Sequence, residues 1–201
     1  MVTLNPFPLQ ILAISGSLRA ASANTTVLRA AVLLAPDAVS ISLYDGLGDL
    51  PHFNPDLDGE HPPAAVQDFR ARLRAADAVI LCSPEYAHGV PGVLKNALDW
   101  IVGSGEFMGK PVALVNARPS STYAQASLRE TLTVMMAEID ADASVTLPVT
   151  TNRLDEATLL ANPVLSQALK SAIEALVHAA IGHREGVGSD GPSPGRETDS
   201  L

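Results

Sequence analysis

"LQILAISGSLRAASANT", residues 9–25, joins an almost continuous apolar run, Leu9 to Ile14, to small and hydroxylic residues around one arginine, Arg19. A short apolar run without alternation reads as a strand covered on both faces. Behind the loop, "NTTVLRAAVLLAP" (24–36) has helical character and stops near Pro36. The stretch is therefore a strand–loop–helix unit. Its loop can offer hydroxyls, backbone N–H groups and a positive charge to one anion.

The same alternation continues outward. "VSISLYD" (39–45) alternates and is β-branched, and "AVILCS" (78–83) and "KPVALVNA" (110–117) are further buried strands. Between them, "PAAVQDFRARLRAAD" (63–77) puts Val66, Phe69 and Leu73 on one helical stripe with arginines opposite. "PGVLKNALDWIVG" (91–103) spaces Val93, Leu94, Ala97, Leu98 and Ile101 helically, with Gly103 as a stop. "YAQASLRETLTVMMAEID" (123–140) predicts one helix with Leu128, Leu132, Met135, Met136 and Ile139 inward, and "ASVTLPV" (143–149) predicts the last strand.

Asn162-Pro163 reads as an N-cap and a first-turn proline, opening a helix with Leu165, Leu169, Ile173, Leu176 and Val177 on its apolar stripe. After Gly182 the breaker-rich "HREGVGSDGPSPGRETDSL" loses apolar periodicity. The expected organisation is one α/β domain, residues 1–184, and a disordered tail, 185–201. Five strands alternating with helices predict a doubly wound parallel sheet with helices on both faces. Ligands then bind beyond the carboxyl ends of the strands, where strand order reverses.

Composition narrows the function. The chain of 201 residues is 47% hydrophobic and 17% charged, enough for a buried core. Its net charge of −9 argues against nucleic acid as a partner, so any bound anion must meet a local cationic site. One cysteine, Cys82, excludes an internal disulfide and a multi-thiolate metal site. "MVTLNPFPLQ" lacks the basic-then-apolar pattern of a signal peptide, and no uninterrupted apolar run reaches membrane-spanning length. The expectation is a cytoplasmic protein with no membrane partner.

Two loops carry the chemistry. The first offers the hydroxyls of Ser17, Ser22 and Thr25, the Asn24 amide and Arg19, suited to a phosphate dianion. It has neither G-x-G-x-x-G nor a G-K-[ST] ending. Its plainer reading is that Ser22 or Asn24 caps a helix while Arg19 is solvated. The second, "SPEYAHGVPGVLKNALDW" (83–100), would let a flat ligand approach the backbone near Pro84, Gly89 and Gly92, with Tyr86 as a wall and His88 as a polar edge. Tyr86 covering the sheet end and a lone exposed His88 are the plainer readings there.

Together, "GSLRAASAN" and "PEYAHGVPGVLKNALDW" resemble the NADPH-dependent FMN reductase family, with its quinone, chromate and azo-dye reductases. The resemblance implies a flavodoxin-like fold holding FMN noncovalently, with NADPH or NADH as cosubstrate and a small-molecule electron acceptor. Ser17, Arg19, Ser22, Asn24 and Thr25 match the phosphate-loop positions. Pro84, Glu85, Tyr86, Ala87, His88 and Gly89 match the segment along the isoalloxazine ring. Arg118 and Ser120 fall where many relatives have a glycine-rich loop near the flavin; an ordinary turn around Pro119 is the alternative. Ala87-His88 also departs from the family, where asparagine commonly follows the tyrosine.

The resemblance further implies a homodimer or homotetramer, for which the helix bearing Leu94, Leu98 and Trp100 is the candidate contact. In this chemistry the flavin carries the reaction, so no protein nucleophile is expected, and Cys82 reads as an inert core residue. Two other classes fit the same fold: an FMN-binding electron carrier and a nonenzymatic flavin-binding module.

Overall fold

The computed structural model describes residues 8–149 and 154–189. Four strands, β1 (Leu9–Ser15), β2 (Val39–Tyr44), β3 (Ala78–Cys82) and β4 (Pro111–Asn116), pair in parallel in the spatial order 2-1-3-4. The fifth place is shared by β5 (Glu138–Ile139), which pairs with the start of β4, and β6 (Val145–Thr146), which pairs with its end. The flavodoxin-like order 2-1-3-4-5 follows.

Side-chain parity divides the core. Ile11, Ala13, Ile80, Cys82, Ala113 and Val115 face helices α1 (Ala23–Leu33), α5 (Glu156–Ala161) and α6 (Pro163–Ser189). Leu12, Ile14, Val79, Leu81, Val112 and Leu114 face α2 (Ala64–Ala75), α3 (Gly92–Val102) and α4 (Thr122–Val134). Both faces of β3 and β4 are covered, which explains their unbroken apolar sequences. Val66, Phe69 and Leu73 of α2 are all buried as their spacing predicts. Removing a side chain such as Phe69 would cost about 3–5 kcal/mol through lost burial and the cavity left behind.

Four expectations change. The predicted last strand, 143–149, is reduced to Val145–Thr146, and Glu138–Ile139 fills the rest of the fifth place. The helix predicted through Ile139 ends at Val134; Met136 lies at φ +59° and is exposed, and Ile139 belongs to β5. The turn is held by Gly109 N–H donating to Met136 O (2.8 Å) and Glu138 N–H donating to Lys110 O (3.0 Å), which bring the chain back to the β4 edge.

At the other end, α6 continues past Gly182 to Ser189. The Arg184 guanidinium pairs with both carboxylate oxygens of Asp77, and Asp77 also accepts from Gln10 N–H (2.7 Å), tying the helix to the start of the sheet. The rest of the expected tail, 190–201, lies outside the described residues. The α6 segment Pro163–Gly186 has the length and hydropathy of a membrane span. Its stripe of Leu165, Leu169, Ile173 and Leu176 is instead buried against the sheet.

Finally, Leu94, Leu98 and Trp100 are buried within the chain, so α3 does not present them as a subunit contact. Trp100 Nε1–H donates to Pro51 O (2.8 Å), and Phe53 meets its ring edge-on at 5.1 Å.

Candidate active site

The order 2-1-3-4 makes β1 and β3 neighbours whose chains leave in opposite directions, and the switch point lies at their carboxyl ends. There Gly16 N–H donates to Cys82 O (2.9 Å). A Cβ at Gly16 would stand 2.4 Å from Ser83 Oγ and 2.9 Å from Ser83 Cβ, so this close approach requires glycine.

The first loop is organised by its own hydroxyls. Ser15 Oγ and Thr25 Oγ1 share a hydrogen bond (2.9 Å), Ser17 N–H donates to Ser15 Oγ (3.3 Å), and Arg19 N–H donates to Ser17 Oγ (3.3 Å). Ser22 is the N-cap of α1 and its hydroxyl accepts from Thr25 N–H (3.5 Å). The capping reading of Ser22 therefore holds while the residue also faces the pocket.

That pocket, a cavity of about 310 Å³, opens beyond β1, β3 and β4. Three loops line it: Ser17, Arg19, Ser22 and Asn24 from the first; Pro84, Glu85 and Tyr86 from the second; Arg118, Ser120 and Ser121 from the third. The structure thus brings together nine of the thirteen expected residues, with Ser121 beside them, from segments about a hundred residues apart. Ala21 and Ala23 also line it and were missed, since alanine carries no chemical signal in sequence.

Thr25, Ala87, His88 and Gly89 are not among the lining residues. Thr25 turns its hydroxyl to Ser15. Tyr86 and Gly89 exchange both backbone hydrogen bonds (3.1 and 2.9 Å), closing a tight turn with Ala87 at φ +49° and His88 at φ +60°. Two consecutive positive φ values define a type I′ turn, whose usual occupants are Asn, Asp and Gly. The His88 ring stacks on Tyr123 with centroids 4.1 Å apart, so it has a partner on α4.

Glu85 reaches the same helix. Its Oε2 accepts from Ala124 N–H (2.8 Å), in the first turn of α4, where Ser121 at the N-cap makes no side-chain capping bond. The carboxylate thus serves as a cap supplied from another loop and complements the helix dipole. This role was not read from sequence. Asn24 Oδ1 accepts from the Cys82 thiol (3.3 Å), and burial pushes the Cys82 pKa up to about 12. The thiol is a neutral donor packed under the loop, remote from nucleophilic chemistry.

The sequence matches the profile of the NADPH-dependent FMN reductase family over residues 9–148. The chain belongs to this family. It is 43% identical over 129 residues to an NAD(P)H-dependent FMN reductase of Pseudomonas aeruginosa, an alignment covering 62% of this chain and 69% of that protein. It is 42% identical over 111 residues to a quinone reductase of Pseudomonas putida, covering 53% of this chain and 58% of that relative. Among solved structures, the flavoenzyme NAD(P)H:(acceptor) oxidoreductase FerB of Paracoccus denitrificans superposes with a TM-score of 0.67 at 27% identity, covering 87% of this chain and 98% of FerB. As a member of the FMN reductase family, the chain is a flavin oxidoreductase, and the matched segment contains all three loops of the pocket.

Proposed function

We propose that this chain is an NAD(P)H-dependent FMN oxidoreductase that reduces a small acceptor, with quinones the leading class. The observation that carries the reading is the joining of the hydroxyl- and Arg19-bearing loop with Pro84–Tyr86 and Arg118–Ser121 in one pocket at the sheet's switch point. The donor set fits FMN. Hydroxyls, the α1 N-terminus and Arg19 suit a phosphate dianion, and the Gly16 close approach holds the first two loops together.

Bound FMN would accept a hydride from the nicotinamide and pass the electrons on to the acceptor. The chain's residues bind and orient. Ser17, Arg19, Ser22 and Asn24 hold the phosphate, with Thr25 bracing the loop from behind. Pro84, Glu85 and Tyr86 follow the ring edge, while Ala87, His88 and Gly89 form the turn that fixes their backbone path. The Glu85 cap on α4 and the His88–Tyr123 stack keep the second and third loops in register. None of these roles requires a protein nucleophile.

Quinone reductase relatives support a quinone acceptor; azo compounds, free flavins and metal oxyanions are the further classes to screen. The buried, unpaired Cys82 is consistent with a reducing, cytoplasmic setting. A homodimer or homotetramer is also proposed, joined through a face other than the buried one of α3.

The test is reconstitution with FMN, desalting, and anaerobic addition of NADPH or NADH while the visible flavin absorption is followed. Retained flavin that bleaches rapidly, with turnover of an added quinone, supports the reductase. Retained flavin that stays oxidised would replace this reading with an electron carrier, and no retained flavin would refute it.

A further inference from the structure

We infer that Arg118 sets the reduction potential of the bound flavin by holding the negative charge that reduction adds. The inference rests on the FMN reading above and concerns what distinguishes the two cations that line the pocket among the described residues, Arg19 and Arg118.

Arg19 sits in the hydroxyl loop after β1, which leads into α1 on one face of the sheet. Arg118 follows β4, two strands away, and leads into α4 on the opposite face. At about 4.8 Å per strand, the two chain ends are about 10 Å apart. The two arginines therefore approach the pocket from different ends.

The Arg118 segment is fastened to the second loop twice: Ala124 N–H donates to Glu85 Oε2 (2.8 Å), and Tyr123 stacks on His88 (4.1 Å). It is also fixed from below, because Arg118 N–H donates to Oδ1 of the buried Asn116 (3.0 Å) and Ser121 N–H donates to Arg118 O (3.0 Å). Arg118 thus travels with Pro84–Tyr86, the segment assigned to the ring, and Arg19 with the segment assigned to the phosphate.

A cation at the phosphate end contributes equally to oxidised and reduced FMN, because the phosphate charge is the same in both. A cation at the ring end does not. Hydride transfer delivers two electrons and one proton, the nicotinamide leaves in its oxidised form, and one added negative charge stays on the ring system. In a partly enclosed pocket a guanidinium interacts with that charge more strongly than it would in bulk water. Arg118 binds reduced FMN more tightly than oxidised FMN, which raises the potential.

The experiment uses the full chain and its Arg118→Gln and Arg118→Lys variants, each loaded with FMN. Three quantities are read: the dissociation constants of oxidised FMN and of riboflavin, and the midpoint potential of bound FMN at pH 7. For Arg118→Gln, oxidised FMN should bind within about threefold of the parent. The affinity for reduced FMN relative to that for oxidised FMN should fall about tenfold, which for a two-electron couple is a potential lower by about 30 mV. Arg118→Lys, which keeps the charge, should remain within about twofold of the parent ratio.

Unchanged potential in a folded, FMN-loaded Arg118→Gln protein would overturn the inference. So would equal weakening of oxidised and reduced FMN with riboflavin binding unaffected, the signature of a phosphate clamp. Failure of the parent chain to retain FMN would instead remove the FMN reading itself.

Discussion

Glu85 and Ala124, 39 residues apart, are joined by a 2.8 Å hydrogen bond from the Ala124 amide to the Glu85 carboxylate, so the loop after β3 caps the helix that follows β4. Replacing Glu85 with alanine should orphan that amide and cost about 1 kcal/mol, lowering Tm by about 2–4 °C. Glu85→Gln keeps an acceptor and should recover most of the loss. Thermal unfolding of both variants checks this, and equal loss in the two would rule out the hydrogen bond as the cause.

Gly16→Ala tests how tightly the first two loops are held. Its Cβ would meet the Ser83 side chain at 2.4 and 2.9 Å and Leu94 Cδ2 at 3.1 Å. Overpacking of this kind costs about 1–3 kcal/mol. The loops must part, so retained flavin after desalting should fall along with Tm. A variant as stable and as yellow as the parent would show that the contact is easily relaxed.

Ala87 at φ +49° is a non-glycine residue in the first central position of a type I′ turn. An L-residue there costs about 1–2 kcal/mol, and the added flexibility of glycine returns about 0.5–1 kcal/mol of that to the unfolded state. Ala87→Gly should therefore stabilise the chain slightly, by about 0.5–1 kcal/mol, seen as a higher urea midpoint with unchanged slope. A lower midpoint would mean that the alanine methyl makes a contact worth more than the strain.

Alkaline pH should unfold the protein early. Burial pushes Cys82 from 9.0 up to about 12, and burial with Asp68 nearby pushes Tyr44 from 10.0 up to about 12. Above pH 9 to 10 the unfolded chain loses these protons while the folded chain keeps them. Stability present below pH 9 is thus lost progressively toward pH 12. Lys110, whose pKa burial lowers, works in the opposite direction over the range in which it titrates. Denaturant midpoints at pH 8, 9.5 and 10.5 should fall in that order, and Cys82 should resist alkylation at pH 8 until the chain is denatured.

Arg184 holds the end of α6 to Asp77. Arg184→Ala should speed amide hydrogen exchange in residues 178–189 while leaving β1 and β3 protected. Exchange unchanged in that segment would show that the last turns are held by something else.

The alternation of strand and helix was legible because each depends on local periodicity: Val66, Phe69 and Leu73 declare one buried stripe, and the apolar run of β3 declares a strand covered twice. The end of α4 was not. Met135, Met136 and Ala137 are acceptable helix residues, and what stops the helix is the pull of the chain onto the β4 edge through Gly109 and Lys110. The extension of α6 was hidden for the opposite reason. Gly182 and Gly186 argue for a break, yet Arg184 finds Asp77 across 107 residues. At the pocket, hydroxyls and arginines were readable as donor chemistry. The same letters could not reveal that Glu85, while lining the pocket, would also cap α4, or that the Ala87-His88 pair would adopt left-handed backbone and leave the pocket wall.

The divided fifth strand has a consequence for how copies of this chain tolerate crowding. A long exposed strand edge is a template on which a second molecule can extend the sheet. Here β5 and β6 are two residues each, and between them Leu114 N–H on β4 is already occupied by the Ser144 hydroxyl (3.1 Å). An incoming strand meets no regular run of free amides and carbonyls in which to find its register. At this edge, the flank nearest the third loop of the pocket, the interruption therefore works against extension of the sheet by a second copy.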